Sequence, residues 1–166
     1  MDTLEHIIWT MEDARSRTLK LVTTMSQDVL RWRPCDTCNS IGATAIHIGR
    51  VEDALSVGSL GLSAQIFQEQ GWHQKLGLAD DDWGWGFDGL SEASQPSADL
   101  LGGYLNAVRE RTAPFIQGLK PARLAEEVPG RRVRTVAQSL SFIVNEELQH
   151  LGQMDYIRGM KEAMGA

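Results

Sequence analysis

Apolar residues recur at intervals of three and four along four separate stretches of this chain, and that repeat restricts its fold more than any other feature. From Asp2 to about Trp32, the residues Leu4, Ile7, Ile8, Met11, Thr18, Val22, Met25 and Val29 return at helical spacing, with Arg and Glu between them. One long first helix is expected there, ended before Pro34. Asn39 or Ser40 can cap a second helix running to about Val57. Ser97 can cap a third, with Leu100, Leu101, Tyr104, Val108, Thr112 and Phe115 on its buried side and Pro114 bending its end. Thr135 can cap a fourth, reaching about Met160. Four amphipathic helices with a long crossover between the second and third predict an all-α four-helix bundle, a single domain over residues 1–166.

Charge and composition exclude several function classes. A net charge of -6 and a pI near 5.2 argue against nucleic-acid and anionic-membrane partners, which need clustered Lys and Arg. The one basic cluster, Arg131-Arg132 with Arg134, is short and follows Pro129-Gly130, as a solvated turn would. No apolar run is long enough to span a bilayer, and the first turn carries Asp2, Glu5 and His6 where a targeting segment would be basic. A soluble, cytoplasmic protein is expected.

The chemistry concentrates in the fourth helix, at Asn145-Glu146-Glu147-Leu148-Gln149-His150-Leu151-Gly152-Gln153. Glu146 and His150, four positions apart, emerge one turn above the other on one face. At about 100° per residue, His150 falls inside the apolar arc of Leu140, Ile143, Val144, Leu148, Leu151, Met154 and Ile157. Glu146 and Gln153 fall on the shoulder of that arc. A satisfied core histidine beside a half-exposed glutamate would give the same local pattern. On the second helix His47 shares a face with the small residues Ser40, Ala43, Thr44, Val51 and Ala54, which leave room for another group to approach it. Arg50 sits at the edge of that face, and Glu52 and Asp53 are expected in solvent. His47, Glu146 and His150 together would offer three inward ligands of the kind Zn²⁺, Ni²⁺ or Fe²⁺ accept, with a position left open for chemistry.

Between about Gly58 and Pro96 the periodicity fades into Gly, Asp and aromatic residues, with a short helix plausible over Leu62 to Phe67. A connection this long commonly covers a site, so Trp72, Trp83 and Trp85 are candidate walls of a substrate pocket, with Arg50 and Gln153. The alternative is that the tryptophans only fold the loop onto the bundle. His73 is a candidate fourth ligand. Cys35-x-x-Cys38 has the spacing of a redox or zinc motif but lacks a second pair, and reads as two surface cysteines near a helix start.

The run Trp32-Arg33-Pro34, followed by Asn39-Ser40-Ile41-Gly42, His47 and Arg50-Val51-Glu52, resembles the first motif of the DinB family. Glu146-x-x-x-His150-x-Gly152-Gln153, with Tyr156 and Arg158 after it, resembles its last. The resemblance covers nearly the whole chain. It implies a four-helix bundle with a divalent metal held between the second and fourth helices, and homodimers. Members with assigned activities are thiol-dependent transferases or isomerases acting on small molecules with low-molecular-weight thiols. Most members carry a histidine where this chain has Glu146, so one ligand here brings a negative charge and leaves the ion a weaker Lewis acid. The expectation is a metal-dependent enzyme that activates a low-molecular-weight thiol or water against a small electrophile by transfer, isomerisation or hydrolysis. The competing expectation is a binding or structural bundle whose chemistry has been lost.

Overall fold

The computed structural model describes residues 2–81, 96–128 and 134–165. In chain order these form α1 (Thr3–Thr23), α2 (Gln27–Arg31), α3 (Ile41–Leu60), α4 (Ile66–Glu69), α5 (Trp72–Leu76) and α6 (Ala98–Gln117). A 3-10 helix follows at Pro121–Ala125, then β1 (Glu127–Val128), antiparallel to β2 (Arg134–Thr135), and the long α7 (Val136–Met164). The expected all-α four-helix bundle is present, built by α1, α3, α6 and α7.

Local chemistry sets the helix ends. Asp2 and Glu5 form a reciprocal cap on α1, Ser40 and Ser97 accept the N–H groups of Ala43 and Leu100, and Thr135 pairs with Gln138 at the start of α7. The first helix is not the single rod expected to Trp32. Thr23 and Thr24 turn their hydroxyls back onto the carbonyls of Leu19 and Lys20, and Ser26 starts α2 by accepting from Val29. Short polar side chains that bond nearby backbone compete with helix continuation, and here three of them fall together. Phe115, expected on the buried side of α6, is 43% exposed, and the inward position is taken by Ile116.

Both α1 and α3 pack against α6 and α7, which puts α1 and α3 on one diagonal of the bundle. At one end, Leu4, Ile7 and Met11 of α1 meet Leu60 of α3, Ile116 of α6, and Val136, Leu140 and Ile143 of α7. Towards the other end, Val22 meets Ile41 and Ala45 of α3, Leu101, Tyr104 and Leu105 of α6, and Leu151 and Met154 of α7. These groupings make α1 and α7 parallel to each other and antiparallel to α3 and α6. Two consecutive long helices that run the same way need a crossover the length of the bundle, which is what the connection from Gly61 to Ser97 supplies. The α3–α6 contact is close because Gly49 has no side chain: a Cβ there would lie 2.5 Å from the Tyr104 ring.

A polar layer separates the two apolar groups. Arg15 of α1, Glu52 of α3, Arg109 of α6 and Glu147 of α7 give one charged side chain from each long helix. Glu52 is therefore not in solvent as expected, and neither is Asp53; both are at most 1% exposed. A helical wheel assigns a carboxylate outward because an unpaired buried charge is costly, and here the partners lie on other helices. Asp53 instead caps α4, its two carboxylate oxygens accepting from the N–H groups of Ile66 and Phe67 at 3.0 Å each. Burial raises the Asp53 carboxyl and these backbone donors partly offset it.

Candidate metal centre

His47 enters from the N-terminal half of α3, whose first turns bury every residue from Ile41 to Asp53. Glu146 and His150 enter from the middle of α7, and the α3–α7 seam brings the three together. One potential ligand atom from each lies within 4.8 Å of the others. Glu146 Oε2 is 3.3 Å from His150 Nε2 and 3.6 Å from His47 Nε2, and the two imidazole rings stand edge to face at 4.9 Å. Ligand atoms about 2.1 Å from a tetrahedral ion are about 3.4 Å apart, so both carboxylate edges already have coordination spacing. The His47 side chain is 4% exposed, while Glu146 and His150 are at 17% and 18%, so the seam opens to solvent on the α7 side.

Gln153 orients the site. Its Oε1 lies 2.7 Å from His150 Nδ1, and an amide oxygen can only accept, so Nδ1 donates to it and Nε2 is the ring nitrogen turned towards Glu146. An outer hydrogen bond of this kind fixes the ring angle of a metal-binding histidine. Two imidazoles and one carboxylate make a donor set that suits a divalent cation of borderline softness.

The remaining candidates make contacts of their own. Arg50 is 1% exposed, stacks on Phe67 with its guanidinium 3.7 Å from the ring centre, and donates to Gln65 at 2.6 Å. Trp72 packs against Tyr104 of α6 with ring centres 5.4 Å apart. His73 is tied to α4, its Nδ1 2.9 Å from the Phe67 carbonyl oxygen. Trp83, Trp85, Arg131 and Arg132 lie outside the described residues. Cys35 and Cys38, read from the sequence as two surface cysteines, are joined by a disulfide.

The sequence reading passed over the cluster next to the site. Arg15 donates from Nε to Glu147 and from Nη2 to Glu52, both at 2.7 Å, and a third bond reaches the Leu105 carbonyl. Arg109 forks onto Glu52 at 2.9 and 3.0 Å, and Thr112 donates to the same carboxylate. Burial alone would raise the Glu52 carboxyl, yet Arg15 and Arg109 with these hydrogen bonds pull it down to about 2. The doublet Glu146-Glu147 was the available signal: adjacent helix positions lie about 100° apart, so with Glu146 on one shoulder of the buried face Glu147 must be placed too.

A family profile for the DinB superfamily matches residues 10–154. The chain belongs to the DinB superfamily. Among solved structures, a conserved protein from Enterococcus faecalis superposes with a TM-score of 0.81 at 21% identity, over 100% of this chain and 99% of the other. A DinB-like protein from Bacillus cereus superposes with a TM-score of 0.68 at 15% identity, over 96% of this chain and 91% of the other. At these identities the likeness establishes the shared fold alone. Among curated proteins no sequence match reaches significance. The described helices include none long and apolar enough to cross a membrane.

Proposed function

We propose that this DinB-superfamily chain is a metal-dependent enzyme in which His47 Nε2, His150 Nε2 and the Glu146 carboxylate hold a divalent Zn, Ni or Fe ion. The open coordination position would take a low-molecular-weight thiol or a water, bound for attack on a small electrophilic substrate. Transfer, isomerisation and hydrolysis all begin from that step. The observation that supports the reading best is the convergence of three ligand-type atoms within 4.8 Å, with the His150 ring oriented by Gln153 Oε1 2.7 Å from its Nδ1.

When bound, such an ion would lower the pKa of a coordinated thiol or water towards neutrality. The chain's own residues set the conditions. The Glu146 carboxylate supplies one negative charge, His47 anchors the site to the most buried helix, and Gln153 fixes the His150 ring. The solvent-facing α7 side leaves an approach for the substrate. Homodimer formation and a cytoplasmic location belong to the same proposal and rest on the family resemblance and the composition.

Metal analysis of untagged full chain, expressed with each of the three ions supplied in turn, tests it. About one ion per chain is expected, falling below about a tenth in His47→Ala and His150→Ala. Wild-type protein that holds no stoichiometric ion under any supply would favour the alternative, a non-catalytic binding or structural bundle of the same fold.

A further inference from the structure

The connection between α2 and α3 carries the only two cysteines of the chain, and they are joined to each other: Cys35 and Cys38, three positions apart, leaving no free thiol. We propose that this pair is a thiol–disulfide exchange site for low-molecular-weight thiols, separate from the metal seam and independent of its chemistry.

A structural role accounts poorly for the pair. Cross-linking is worth least when the loop it closes is short, and this one encloses two residues. The turn is also held without it: the Cys38 N–H donates to the Cys35 carbonyl at 3.0 Å, and Arg33 Nη1 donates to the Asp36 carbonyl at 3.2 Å. Both neighbouring helices are docked by other contacts. Leu30 of α2 is buried in the core, and Lys161 of α7 reaches back to Asp28 at 2.6 Å.

The two sulfurs differ in a way that suits exchange. Cys35 is exposed and lies beside the Thr37 hydroxyl at 3.5 Å, whereas Cys38 is half-buried and stands two residues ahead of Ser40, the cap of the 20-residue α3. No acidic side chain occupies the first turn of α3 to offset the positive end of that helix. An incoming thiolate therefore attacks Cys35 Sγ, the accessible atom. The Cys35–Cys38 bond breaks, its electron pair leaves on Cys38 Sγ as a thiolate, and a mixed disulfide forms on Cys35. A second thiolate then attacks the outer sulfur of that mixed disulfide and releases the oxidised small thiol. In sum two small thiols are oxidised to one disulfide while the protein pair gains two electrons and two protons. The reverse sequence closes the pair at the expense of an oxidised small thiol.

The test uses the full chain equilibrated in buffers of varied reduced-to-oxidised glutathione ratio, with alkylation and mass measurement counting thiols. The pair is expected to titrate from no alkylated cysteine to two across that series. Oxidised glutathione should add one glutathionyl group to Cys38→Ser at least about tenfold faster than to Cys35→Ser, because the remaining thiol of the first variant is the exposed one. Reduction should leave the helical circular dichroism intact and the thermal midpoint within about 3 °C, a shift worth about 1 kcal/mol for a chain of this size. A pair that stays oxidised at every ratio, a pair that never closes, equal rates for the two variants, or a larger fall in the thermal midpoint would each overturn the proposal. The thiol counts and the glutathionylation rates do not depend on bound metal, so failure here and failure of the metal proposal are distinguishable.

Discussion

Glu146 and Glu147 are neighbours on α7 and serve two different polar regions. Glu147 faces the bundle axis, where with Glu52 it meets Arg15 and Arg109; Arg15, Glu52 and Glu147 are all 3% exposed or less. Two cations and two anions from four helices cancel one another, and hydrogen bonds from Thr112 and to the Leu105 carbonyl add to the network. That region is electrically complete. Glu146 faces the α3–α7 seam and shares one carboxylate oxygen with two imidazoles at 3.3 and 3.6 Å. With both histidines neutral the seam carries one negative charge, and a divalent ion leaves it with one positive charge and its lone pairs engaged. Adjacent positions on one helix thus separate a cluster that fixes how four helices pack from a donor set that suits an added cation. The axial cluster and the two apolar groups register the helices, so the seam can exist before an ion arrives.

The comparison breaks most visibly if the axial cluster is opened. Glu52→Ala leaves Arg15 and Arg109 without their shared carboxylate, and removing one member of a buried ion pair costs about 3–5 kcal/mol. A fall of roughly 10 °C in the thermal midpoint is expected for a chain of this length. A loss under about 1 kcal/mol in urea unfolding would show that the cluster does not hold the bundle. The same group sets an acid response. The folded-state Glu52 carboxyl lies near 2 against an ordinary 4.5, so its contribution is fully present above pH 4.5 and is lost as the pH falls towards 2. Glu52→Gln should flatten the acid limb of the stability curve across that window, and an unchanged limb would contradict the assignment.

At the seam the effect should fall on binding and spare the fold. His150→Ala removes a ligand that is 18% exposed on a helix packed along its whole length, so circular dichroism should be unchanged and apo-protein stability altered by less than about 1 kcal/mol. Affinity for Zn²⁺, read by chelator competition, should drop more than about 100-fold, beyond what loss of an outer hydrogen-bond partner costs. A variant that unfolds, or one that binds as wild type does, would erase the distinction between the two regions.

The two regions were also unequally legible in the sequence. Helix caps at Ser40, Ser97 and Thr135 were readable because capping is local chemistry, decided within three residues. Glu146 and His150 were readable for the same reason, being one helical turn apart on a single element. His47 could be nominated from its small neighbours, while its meeting with Glu146 across 99 positions needed the packed bundle. The axial cluster was not legible, because Arg15 and Glu147 are 132 positions apart and each looks like an ordinary solvent charge on its own helix. The break after Thr23 was missed because the apolar repeat continues through it; three small hydroxyl side chains decided the matter against the periodicity.

The smallest and sharpest test concerns Gln153, which the sequence offered as a pocket residue and the geometry makes a partner of His150 at 2.7 Å. It is partly in solvent, so Gln153→Ala should leave stability within about 0.5 kcal/mol of wild type. Without the amide oxygen the His150 ring can rotate and protonate at either nitrogen, and metal affinity should weaken by about 10–100-fold. Gln153→Glu keeps an acceptor in the same place and adds charge that strengthens the imidazole as a donor, so it should restore affinity to wild type or better. A merely structural role would make both variants alike. If Gln153→Glu binds as weakly as Gln153→Ala, the hydrogen bond to Nδ1 does not prepare His150 for an ion, and the seam loses the feature that most distinguishes it from two histidines satisfied by one glutamate.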